Sequence, residues 1–81
     1  MKHATPAVLD LIEPLLANLR RIDGLVERSR GIFYRKGVAT LHFHEDPAGL
    51  FADLKVKGGW TRLRASTARE RAALLREARK A

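Results

Sequence analysis

Val38-Ala-Thr-Leu-His-Phe-His-Glu-Asp-Pro-Ala-Gly-Leu-Phe-Ala-Asp-Leu-Lys-Val-Lys-Gly-Gly-Trp-Thr-Arg-Leu-Arg-Ala65 is the stretch on which the fold turns. Two turns inside it set the pairing of three strands. Asp46-Pro47-Ala48-Gly49 has Pro at the second turn position and Gly at the fourth, as a type I turn prefers. Closing it pairs Glu45 with Leu50, Phe43 with Ala52, Leu41 with Leu54 and Ala39 with Val56. Gly58-Gly59 suits a two-residue hairpin turn, where positive φ is needed. Closing that turn pairs Lys57 with Trp60, Val56 with Thr61, Leu54 with Leu63 and Ala52 with Ala65. One face then reads Ala39, Leu41, Phe43, Ala52, Leu54, Val56, Leu63 and Ala65. The other reads Thr40, His42, His44, Phe51, Asp53, Lys55, Lys57, Trp60, Arg62 and Arg64. Two independent turn signals that agree on one apolar face are the consistency expected of a real sheet.

Working outward, Ile32-Phe33-Tyr34-Arg35 reads as a strand that Lys36-Gly37 turns into the next. A two-residue loop there puts Ile32 and Tyr34 on the apolar face; a three-residue loop with a bulge puts Phe33 there instead. Leu25 to Arg28 is ambiguous between a loop and a short edge strand. Before it, Thr5-Pro6 is an N-cap with Pro at the first helical position. Val8, Ile12, Leu15, Leu19 and Ile22 recur at helical spacing, with Pro14 either kinking the helix or splitting it in two. After the sheet, Thr67 and Glu70 form a capping box. Ala68, Ala72, Leu75 and Arg79 make one stripe of the closing helix, with Leu74 and Ala78 beside it.

These elements predict an α+β two-layer sandwich: an antiparallel sheet of three to four strands with N- and C-terminal helices packed on one face. The expected layout is one domain over residues 1–81, with 1–4 a disordered tail, 5–22 helix, 31–65 sheet and 66–80 helix. The expected core holds Leu15, Leu19, Leu41, Phe43, Leu54, Leu63 and Leu75.

The chain carries 16 Lys plus Arg against 9 Asp plus Glu, a formal charge of +7 over 81 residues. Such an excess fits nucleic-acid binding, and equally the Arg-rich usage of a high-GC genome. With 0 Cys there is no disulfide, no thiolate nucleophile and no Cys-based zinc site. No apolar run approaches the roughly 18 residues of a membrane span. Met1-Lys2-His3-Ala4-Thr5-Pro6 lacks the apolar stretch of a signal peptide. The expectation is a cytoplasmic protein.

The segments Gly31-Ile-Phe-Tyr-Arg-Lys-Gly-Val-Ala-Thr-Leu41 and Lys57-Gly-Gly-Trp-Thr-Arg-Leu-Arg64, the latter followed by a helix, resemble parts of the MmcQ/YjbR-like family. The resemblance runs over roughly residues 5–80 and makes the chain a compact relative, with a Gly-Gly turn where the family inserts a helical segment. It implies an α+β fold and a DNA-binding role, and it carries no catalytic motif.

Three constellations sit on the polar face. His42 and His44 lie about 7 Å apart along one strand, with Asp53 across from His42. Two His and a carboxylate are metal-ligand types, but His3 falls in the expected tail and no third imidazole is placed near them. The simpler account is a His–Asp hydrogen bond and an exposed His, so no metal and no cofactor are expected. The row His42–Asp53–Arg64 crosses three strands as a structural polar row. Ser66 and Thr67 read as caps and Ser29 as a bend residue, so no nucleophile is evident and the chain is not expected to be an enzyme. Finally, Trp60 and Phe51 are interleaved with Arg35, Lys55, Lys57, Arg62 and Arg64, and Phe33 joins them under one of the two registers. Rings that stack bases and cations that meet phosphates are how sheet platforms hold single strands. The expected function is a small basic, non-catalytic module that binds nucleic acid through Arg35, Lys55, Lys57, Trp60, Arg62 and Arg64. The alternative is a homodimer that buries Phe51 and Trp60 on the same face, without a membrane partner.

Overall fold

The computed structural model describes residues 2–81. The order is β1 (Lys2–His3), α1 (Pro6–Leu11), α2 (Glu13–Arg20), β2 (Leu25–Ser29), β3 (Ile32–Arg35), β4 (Val38–Asp46), β5 (Gly49–Val56), β6 (Gly59–Arg64) and α3 (Ala68–Lys80). The fold is α+β: an open antiparallel sheet of six strands with three helices among the described residues. The sheet runs β2-β3-β4-β5-β6, and β1 pairs with β4 at the far end of the side that β3 occupies.

The expectation of three to four strands is therefore too low, for two reasons. Leu25–Ser29 is an edge strand, paired with β3 from Leu25↔Arg35 onward. The supposed tail is not loose: Lys2 pairs with Glu45 and His3 with His44, and the Ala4 N–H donates to the Phe43 carbonyl at 3.1 Å. Met1, the first residue of that expected tail, lies outside the described residues.

Turn chemistry decides most of the register. The Asp46–Gly49 turn closes as expected, with Leu41↔Leu54, Phe43↔Ala52 and Glu45↔Leu50. The Asp46 carboxylate accepts from the Ala48 N–H at 3.0 Å, which holds the bend. The second hairpin turns one residue earlier than Gly58-Gly59. Val56 pairs with Gly59, so Lys57 and Gly58 are the loop, with φ 51 and 82. Primed two-residue turns need positive φ at both positions. Lys36-Gly37 does the same with φ 52 and 79. The shift moves each partner by two residues, which preserves the faces: Ala52 meets Leu63 and Asp53 meets Arg62.

The β3–β4 hairpin combines both readings left open by the sequence. Its loop is two residues, since Arg35 pairs with Val38, yet the pairing slips between Phe33↔Leu41 and Tyr34↔Ala39. Thr40 is the extra residue, and its hydroxyl donates to the Val38 carbonyl at 2.9 Å. The bulge puts Phe33 in the core, fully buried.

Pro14 lacks the N–H that would continue the first helix, and the chain splits at Ile12 into α1 and α2 instead of one helix over 5–22. The Thr5 cap and the Thr67/Glu70 capping box both form. Buried side chains of the three helices, including Leu9, Leu16, Leu19, Leu74 and Ala78, and of Ile12 between α1 and α2, join Leu25, Phe33, Leu41, Phe43, Leu50, Ala52, Leu54 and Ala65 in one apolar cluster. Leu63 and Leu75, expected within the core, are only partly buried against it, and α3 instead turns Leu74 and Ala78 inward. Among the described residues no helix is long and apolar enough to cross a membrane.

Candidate functional site

The sheet residues that alternate with the core gather on the outer face around three imidazoles. β4 supplies His42 and His44, two residues apart and therefore on the same side. β1 supplies His3 opposite His44. What delivers His3 is Glu45, on the next residue of β4. Its Oε2 accepts from the Thr5 N–H at 2.9 Å and the Thr5 hydroxyl at 3.0 Å, and its Oε1 lies 3.4 Å from the Lys2 ammonium. These contacts hold the Glu45 carboxyl below its usual range, the Thr5 N–H being the largest cause. One carboxylate thus fixes both ends of the segment that contains His3.

The three rings pack together, His3 tilted against the other two and His42 edge-on to His44. Centroids lie 4.7 Å apart for His3–His44, 4.7 Å for His42–His44 and 5.6 Å for His3–His42. One ring nitrogen from each residue can be chosen so that all lie within 4.8 Å of one another. Among the described residues, Nδ1 of His42 and both ring nitrogens of His44 are buried without a hydrogen-bond partner. Burial lowers the His42 pKa first, and the neighbouring His44 adds to it, so the neutral imidazole is favoured.

Asp53 underlies this group, and it is buried although charged. It sits across from His42, as expected, but the nearer imidazole is His44, whose Nε2 is 3.1 Å from Oδ2. That approach is close but not aligned for a hydrogen bond. The expected His42–Asp53–Arg64 row is corrected to His42–Asp53–Arg62, because the β5–β6 turn falls at Lys57-Gly58. Arg62 grips Asp53 with two bonds, Nε to Oδ1 at 2.8 Å and Nη2 to Oδ2 at 2.9 Å. That fork holds the Asp53 carboxyl below its normal value against the opposing effect of burial. Trp60 closes the other side. Its ring meets His42 edge-on at 4.8 Å, and the Lys55 ammonium lies 4.9 Å from the ring centroid. Trp60 is 48% exposed.

The six residues chosen as a nucleic-acid surface are not all together. Lys55, Trp60, Arg62 and Arg64 share the outer face. Arg64 is stacked 5.1 Å from the Phe51 ring centroid and paired with Glu70 at 3.2 Å. Lys57 is an exposed turn residue. Arg35 leaves the group: it pairs with the core residue Leu25, on the Phe33 side of the sheet, and its Nη1 donates to the Asp23 carbonyl at 3.3 Å. The bulge at Thr40 is the cause, since it sets which of Phe33 and Tyr34 faces the core.

His3 is the functional candidate that sequence reasoning missed. Its only local signal is that Lys2-His3 precedes a helix cap. In comparisons with protein-family models, curated proteins and solved structures, none matches the chain. The reading of the site rests on its own geometry.

Proposed function

We propose that the chain is a small, non-catalytic binding module, built as two layers with the helices over one face of the sheet, that holds single-stranded nucleic acid on the other. The carrying observation is Trp60, 48% exposed at the start of the basic strand β6 with Lys55 across from it on β5. Lys55, Lys57, Arg62 and Arg64 stand against Asp46, Asp53 and Glu70 in this region, four cations against three anions. The resemblance to the MmcQ/YjbR-like family supports the same reading, and the absence of Cys suits a cytoplasmic setting. A base stacking on Trp60 displaces the Lys55 ammonium from the ring, and that cation then meets a phosphate.

Binding to single-stranded and duplex probes, titrated with salt, tests this. Trp60→Ala should weaken the single strand by roughly 1–3 kcal/mol and leave duplex unchanged. Lys55→Gln with Lys57→Gln should reduce the log–log salt slope by about 1.4, or about 0.7 for each phosphate no longer neutralised. Equal, weak binding to every probe that neither change alters would refute the reading. A second reading is a homodimer that buries Trp60. It has less to work with, because Phe51 lies beneath Arg64. Light scattering over a range of concentrations, repeated on Trp60→Glu, distinguishes the two.

A further inference from the structure

We propose that His3, His42 and His44 form a binding site for one divalent transition-metal ion of the zinc class. The inference stands apart from the nucleic-acid reading and does not depend on it.

The donors converge. Three ligand atoms no more than 4.8 Å apart leave a point at most about 2.8 Å from each. Zinc–imidazole bonds are about 2.0–2.1 Å, so each nitrogen has to move by less than ~1 Å, within reach of small side-chain rotations. The donors also lack other employment. Among the described residues, Nδ1 of His42 and both nitrogens of His44 are shielded from solvent without a hydrogen bond, and the one polar atom close by is Asp53 Oδ2, 3.1 Å from His44 Nε2. Buried polar atoms are rarely left so, because each orphan costs roughly 1–3 kcal/mol. A cation at the common point satisfies one nitrogen on each ring.

The surroundings match what a metal-bound imidazole needs. Such a His donates its second ring N–H to a carboxylate, which fixes its tautomer and orientation. Asp53, 3.1 Å from His44 Nε2, is placed for that, and a small tilt of the ring aligns the bond. Asp53 is itself locked by the Arg62 fork, so it orients His44 and is not free to be a fourth ligand. Arg62 and Asp53 are positioning residues here. All three ligands are nitrogens, which selects zinc, nickel or copper over magnesium and calcium. With three protein ligands the ion keeps a fourth position for water or an incoming donor. His3 is held at the site by the β1–β4 pairing and by Glu45, which clamps Thr5 and Lys2, so the ligand set joins β1 to the middle of the sheet.

Trp60, the only Trp of the chain, lies 4.8 Å from the His42 ring and reports locally on the site. The test is equilibrium dialysis of chelator-treated protein with Zn2+, followed by Co2+ titration read by its visible ligand-field bands and by Trp60 emission. The expected result is one ion per chain at micromolar or lower free metal. Co2+ should quench Trp60 in step with occupancy, and Zn2+ should reverse the quenching. His3→Ala, His42→Ala and His44→Ala should each weaken binding at least tenfold. Asp53→Asn should weaken it about 10–100-fold while the stoichiometry stays at one. His3→Ala guards against misfolding, since His3 is exposed and outside the core, and its metal-free melting should match the parent. Binding only at millimolar metal, binding that leaves Trp60 emission unchanged, or binding indifferent to His3→Ala would each overturn the proposal.

Discussion

The two faces of this sheet are built from the same strands and obey different rules. On the inner face, Leu41, Phe43, Ala52 and Leu54 lose nearly all their exposure to a single apolar cluster, and shape complementarity is the whole requirement. On the outer face, Asp53 is also buried and His42 and His44 are partly so, but they carry polar atoms that each need a partner. Asp53 has its partner in Arg62, whereas His42 and His44 have nitrogens with none. An apolar face is complete once it is covered. A polar face is complete only when every donor and acceptor is answered, so its gaps point to what it binds.

This contrast can be broken from either side. Leu54→Ala, at the centre of the inner face, should cost about 2–5 kcal/mol in a denaturant melt, because the cavity cannot collapse between packed neighbours. A loss below about 1 kcal/mol would mean that the inner face is not the core. Thr67→Ala should cost about 1 kcal/mol by removing the capping bond to the Glu70 N–H, an effect confined to α3.

Acid should act on the rim of the helices. Arg20 and Arg30 hydrogen-bond to Glu13 and hold its pKa down to about 2, from about 4.5. A carboxylate whose folded pKa is depressed adds stability above its unfolded pKa. That stability drains away as pH falls through the folded value. The melting midpoint should therefore drop between pH ~4.5 and ~2, and Glu13→Gln should flatten the drop. Glu45 and Glu70 are shifted in the same direction and add to the slope.

The smallest effects belong to the outer face and the turns. His3→Ala should stay within about 0.5 kcal/mol of the parent without metal, since it removes an exposed side chain. Lys57→Asn should raise stability by roughly a few tenths of a kcal/mol, because Asn accepts the positive φ of that turn more readily than Lys. A loss at Lys57→Asn would instead favour the Gly58-Gly59 turn and the pairing of Asp53 with Arg64.

Features that depend on neighbours in the chain were legible from the residues alone. The Asp46–Gly49 turn sits within four residues, as does the Thr67/Glu70 box, and Thr5-Pro6 opens the first helix. Alternation then assigned inner and outer faces for β4, β5 and β6. Long-range packing settled the places where local chemistry offered equal choices. Lys57-Gly58 and Gly58-Gly59 both make hairpin turns and both keep the faces. The structure takes the first, which sets Arg62 directly across from Asp53 where the other turn would have set Arg64. The same holds for Phe33, placed inward by a bulge at Thr40 in a different strand, and for α3, where packing on the core brings in Leu74 and Ala78. His3 is the extreme case. Its place depends on Thr5 meeting Glu45, forty residues further along the chain, and no local pattern encodes an encounter at that separation.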